Sequence, residues 1–140
     1  MAYREKLAAL NLVAMALVYT VYFTIIATRP PMPRLIDMLW LFGIAAPVHA
    51  MLYGFIGYAI KLRSGKEGRV PPDERDRAIA RRGRSIAYLV LLAGAILVGV
   101  VMPFSETPWK IVNTTLLAIV IAELVNNGVV VLSYRRGWHG

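Results

Sequence analysis

Four long apolar runs separated by short polar stretches dominate the chain, at residues 7–28, 38–60, 85–102 and 111–134. Each holds about 18–24 residues. At about 1.5 Å of rise per residue, each is long enough as a helix to cross a hydrocarbon layer about 30 Å thick. Buried helices of soluble proteins are usually shorter, and four such runs leave too little polar sequence to clothe a soluble domain. The pattern predicts an all-α integral membrane protein, a four-helix transmembrane bundle forming one domain over residues 1–140. Composition agrees: 58% of the 140 residues are hydrophobic, and the mean hydropathy is +0.57, beyond the range of an ordinary soluble chain. The first run is longer than the apolar core of a cleavable leader, about 7–15 residues, and "IIATRPPMP" follows it with no small-x-small cleavage pattern. It reads as a retained helix.

Charge orients the runs. Arg4 and Lys6 precede the first, nine Lys/Arg lie between the second and third, and Arg135 and Arg136 follow the fourth. Thirteen of the 16 basic residues thus fall on one side, against Arg29, Arg34 and Lys110 on the other. The positive-inside rule predicts both termini and the middle segment in the cytoplasm. The same bias argues against a dual-topology protein. The two outer connections, "TRPPMPR" and "MPFSETPWK", are short and proline-stiffened, with Trp40 and Trp109 near the outer boundary.

The segment 61–84, "KLRSGKEGRVPPDERDRAIARRGR", is the one sizeable polar stretch. Asp73 after Pro71-Pro72 is a good helix N-cap, Glu74 and Asp76 suit the first turn, and Asp73 is spaced to pair with Arg77. Helix 3 should therefore begin about three turns before its apolar run. Arg77, Arg81, Arg82 and Arg84 then form a basic collar suited to anionic lipid head groups or a cytoplasmic protein partner. Carrying the topology signal would explain the same charges. Nucleic-acid binding is not expected, since the segment holds no aromatic residue to stack on bases and no recognisable binding module.

The stretch "PPDERDRAIARRGRSIAYLVLL" resembles the D-E-R-D segment that precedes a transmembrane helix in a group of small, uncharacterised prokaryotic predicted membrane proteins. The likeness covers about 20 residues. It implies an integral protein of a prokaryotic cytoplasmic (inner) membrane and brings no catalytic residue with it. The four-helix small multidrug transporters are not matched: their essential carboxylate lies in the first helix, and run 1 here has none.

Chemistry inside the apolar runs centres on Glu123. It lies 11 residues from the inner end of run 4, about 16 Å deep, with Asn126 and Asn127 on its own face. A mid-membrane carboxylate costs roughly 2.5–3.5 kcal/mol on insertion scales. His49 lies at the same depth in run 2, and Tyr53 matches Asn127. If helices 2 and 4 are neighbours, Glu123 pairs with His49, with Tyr53 and Asn127 beneath them and Asn11 extending the polar track. Ala46, Ala50 and Gly54 form a ladder for close helix packing, as do Ala95 and Gly99. Pro47 should loosen helix 2 near His49.

Cysteine is absent and a single histidine falls within the runs, so no metal site, haem or other cofactor is expected. No nucleophile–base set or phosphate-cradling glycine loop is present, so no catalytic residues are assigned. Two readings remain. The first is a non-enzymatic accessory, regulatory or immunity-type protein that binds a membrane or cytoplasmic partner, or anionic lipid. The second is a minimal transporter or proton-coupled channel centred on Glu123 and His49, working as a homo-oligomer. The first is preferred, because no complete transport motif is present.

Overall fold

The computed structural model describes residues 2–29, 34–65, 68 and 70–138. Lys66, Glu67 and Arg69 of the polar segment, and His139, lie outside the described residues. The described chain is all-helical, with four helices long and apolar enough to span a membrane. They are α1 (Tyr3–Thr28), α2 (Leu35–Arg63), α3 (Glu74–Ile96) and α4 (Pro108–Arg135).

Local chemistry accounts for most of the boundaries. Asp73 caps α3 as expected: its carboxylate accepts the Asp76 N–H at 2.6 Å, and Asp76 returns the bond to the Asp73 N–H at 3.4 Å. Pro108 opens α4 at its first position, where no N–H is needed. At the far end of α3, Leu97–Val101 widens into a π turn and Met102–Phe104 tightens into a 3₁₀ turn. Pro103 has no N–H for the regular i−4 bond, and the Met102 N–H reaches back to the Leu97 carbonyl instead. α2 runs through Pro47 without interruption.

The helices lie in the order α2, α1, α4, α3. α1 packs between α2 and α4, α3 packs on α4, and α2 makes no more than glancing contact with α3 or α4. The core follows one face of α1, where Met15, Tyr19, Tyr22 and Ile26 meet Ala45 of α2 and Val120 of α4. The ring edges of Tyr19 and Tyr22 abut Phe42, Phe23 and His49. Both termini and the middle segment gather at one end, hereafter the charged end: Arg4 of α1 reaches the Val70 carbonyl, and Arg75 of α3 donates to the Trp138 carbonyl.

The closest helix approach is between α3 and α4, and glycine permits it. A Cβ on Gly83 would lie 2.7 Å from Asn126 Oδ1 and 3.0 Å from Val130 Cγ2, and one on Gly94 would lie 2.6 Å from the Ala118 Cβ. Ala87 and Ala122 are buried between these two points. The ladder expected to seat α2 is not used within the chain. Ala50 is exposed, and nothing lies within 4 Å of a Cβ placed on Gly54; Gly99 is likewise open. We expect Gly94→Ala to lower resistance to unfolding by about 1–3 kcal/mol through overpacking, whereas Gly54→Ala leaves it unchanged or slightly higher. Unfolding of the two variants in a denaturing detergent series checks this, and equal losses would contradict the packing.

Candidate functional site

Polar side chains within the apolar helices fall into two groups. His49 and Asn11, and Tyr22 and Asn113, are partnered across helices. His49 shares a 3.0 Å hydrogen bond with Asn11 Oδ1 of α1 and lies edge-on to Tyr19. The Tyr22 hydroxyl donates to Asn113 Oδ1 at 3.1 Å, and Asn113 Nδ2 donates to the Trp109 carbonyl at 2.9 Å. These bonds stitch α2 to α1 and α1 to α4.

Glu123 is different. The expected Glu123–His49 pair does not form, because α2 and α4 are not neighbours: α1 lies between them and takes His49 for its own Asn11. Glu123 is exposed, and among the described residues its carboxylate has one hydrogen-bond partner, Asn126 Nδ2 at 3.4 Å. Asn127 is buried, but its Nδ2 donates to the Glu123 backbone carbonyl at 2.7 Å and leaves the carboxylate free. The result is an uncompensated carboxylate midway along α4, on an open face.

That face leads somewhere. Glu123, Asn127, Val130 and Tyr134 recur at i, i+4, i+7 and i+11, so they stack along one side of α4. The last three line a cavity of about 360 Å³ that Tyr53 of α2 and Asp76, Arg77 and Arg84 of α3 also line. The structure therefore brings together Tyr53, Asn127, Arg77 and Arg84, with Glu123 one turn farther from the charged end. His49 stays outside the group. Of the other collar arginines, Arg82 lies over the Trp138 ring at 4.8 Å, and Arg81 faces a different flank with Arg84.

The floor of the cavity is a network that the sequence patterns did not reveal. Asp76 accepts the Arg4 Nε–H at 2.8 Å and a hydrogen bond from the Tyr134 hydroxyl. Glu5, buried in the first turn of α1, faces Arg135 Nε at 3.5 Å. Asp73 does not pair with Arg77 among the described residues, since its carboxylate serves the α3 cap. Nothing local marks Glu5 or Tyr134 as members of this cluster. The sole sequence signal was the acidic first turn of α3.

No family model, curated protein or solved structure matches the chain. Among the described residues, no three or more of His, Asp and Glu converge as metal ligands. The site is thus a carboxylate with one amide partner on an open helix face, next to a cavity with arginine, tyrosine and amide side chains in its walls. The pairing predicts the outcome of two double-mutant cycles read by unfolding in lipid. Asn11→Ala with His49→Ala should couple by about 0.6 kcal/mol and not more than about 2. His49→Ala with Glu123→Gln should be additive. A coupled second cycle would restore the contact that the fold denies.

Proposed function

We propose that the chain is a small non-enzymatic accessory or regulatory protein of a prokaryotic cytoplasmic membrane. In this reading it crosses the bilayer four times, with both termini and the middle segment in the cytoplasm. It acts by binding a transmembrane segment of another protein along the open face of α4. The charge bias of the loops supports the orientation, and the gathering of the termini and the middle segment at one end agrees with it.

Glu123 carries the functional reading. A mid-membrane carboxylate facing lipid is costly, and polar groups there favour partners in a bundle interior. The chain supplies Glu123 only an amide at 3.4 Å, although it partners His49 and Asn113 internally. The occupant that fits is a partner helix carrying a basic or hydrogen-bond-donating side chain at the same depth. Such a helix would cover the carboxylate by charge complementarity. α2 does not close this face, because its packing is almost wholly on α1. A transport reading draws on the cavity that Tyr53, Asn127 and Arg84 share next to Glu123.

A photo-crosslinking residue at Ile119, exposed and one turn from Glu123, separates the two readings. In intact cells it should form a discrete adduct with one membrane protein, attached within a transmembrane segment that bears a polar or basic residue. The adduct should vanish in Glu123→Leu. Proton or cation flux in proteoliposomes of the purified chain alone, abolished by Glu123→Gln with no such adduct in cells, would sink the accessory reading and establish transport.

A further inference from the structure

A second site lies on the flank of α3 beside the shared cavity, with Arg84 lining both. Arg81, Arg84, Ser85, Tyr88 and Leu89 line an open cleft of about 620 Å³. Their spacing of i, i+3, i+4, i+7 and i+8 places all five on one side of the helix. The cleft sits where α3 changes character. Towards its start the helix is charged, and from Ser85 onward it is apolar for the rest of its length. Tyr88 and Leu89 are exposed, and an open apolar stripe continues along the same side through Leu92 and Ile96.

The two guanidiniums are uncommitted. Of the nine other basic residues described at this end of the molecule, four have partners, and Lys6, Lys61, Arg63, Arg77 and Arg136 show none among the described residues. Arg4 is paired with Asp76 and Arg135 with Glu5, Arg82 covers Trp138, and Arg75 donates to the Trp138 carbonyl and lies against the Tyr134 ring. Arg81 has no ion pair or hydrogen bond among the described residues, and Arg84 bonds just the Ala80 carbonyl of its own helix, at 3.3 Å. Among the described residues, no acidic side chain lines the cleft. Two cations with two hydroxyls beside them make a donor set for phosphate oxygens, and arginine can meet such oxygens with two parallel bonds.

We infer that this cleft holds the phosphate of an anionic glycerophospholipid, gripped by Arg81 and Arg84 with the Ser85 and Tyr88 hydroxyls, while an acyl chain lies along Leu89, Leu92 and Ile96. The inference rests on the proposed membrane orientation, which sets Arg81 and Arg84 at cytoplasmic head-group depth and the apolar stripe in hydrocarbon. It does not depend on the Glu123 partner. A tyrosine between an arginine pair and an aliphatic stripe suits that boundary, where amphipathic rings and long basic side chains settle. The absence of a carboxylate selects for net negative head groups over zwitterionic ones.

Native mass spectrometry of the full chain ejected from nanodiscs of equal phosphatidylglycerol and phosphatidylcholine tests it. The wild type should retain phosphatidylglycerol preferentially, by about five-fold for each arginine engaged. Arg81→Gln/Arg84→Gln should bring the two lipids to near parity. Arg63→Gln/Arg136→Gln removes the same charge elsewhere at that end and should keep the preference. Equal loss in both double variants would mean diffuse attraction and overturn the site. So would equal lipid retention by the wild type, including the case in which added inorganic phosphate forms adducts that need Arg81 and Arg84, which would mark a free-phosphate site. Failure of the wild type to enter nanodiscs would instead overturn the membrane reading on which the inference rests.

Discussion

One carboxylate holds the charged end together. Asp76 receives the Arg4 guanidinium, the Tyr134 hydroxyl and the Asp73 N–H, so a residue of α3 fixes the first turn of α1, the last turn of α4 and its own helix start. Charge-assisted bonds of this kind are the strong ones, and they act here at the open ends of helices, where packing is weakest. Arg4 carries the connection on to Val70 in the segment ahead of α3. Three helices are therefore clamped at one end and packed along their lengths. α2 takes no part in the clamp, and what holds it is the aromatic face of α1 and the His49–Asn11 bond.

This inequality among the helices governs the distribution of polar groups. Where two helices meet, their polar side chains find one another: His49 with Asn11, Tyr22 with Asn113, Glu5 with Arg135. Where α2 fails to reach α4, Glu123 is left with a neighbouring amide on its own helix. A carboxylate that a closed bundle could have partnered is left with that one amide because the fold is open on that side.

The apolar runs made the four helices legible, since length and hydropathy are local properties that membrane-scale helices show plainly. The α3 start was equally legible, because the cap needs only Asp73 and the residues that follow it. The start of α1 was not. Glu5 and Arg4 look like a polar approach to the run, yet they lie in the first turn of the helix and pair with distant Arg135 and Asp76. Depth could be counted along each run, but neighbours could not. His49 and Glu123 stand at matching depth by residue counting, yet α1 separates them, and α2 is too uniformly apolar for its pattern to say which side packs. The same limit misled the small-residue argument. The ladder at Ala46, Ala50 and Gly54 is the more conspicuous pattern, whereas the tight contacts belong to Gly83 and Gly94, which are too far apart to form a motif.

The helix order has a bearing on how the chain is made. α1 and α2 are consecutive and touch, as do α3 and α4, so each half can form a hairpin as soon as its second helix exists. The α1–α4 seam is another matter. It matches the first turns of α1 with the last turns of α4, Glu5 with Arg135 and Arg4 with the cluster that contains Tyr134. Until α4 is complete, the inner face of α1, with Met15, Tyr19 and Tyr22, has no α4 to cover it. The α1–α4 seam is thus what joins two hairpins of neighbouring helices into one bundle, and it is anchored where the first turn of α1 meets the last turn of α4.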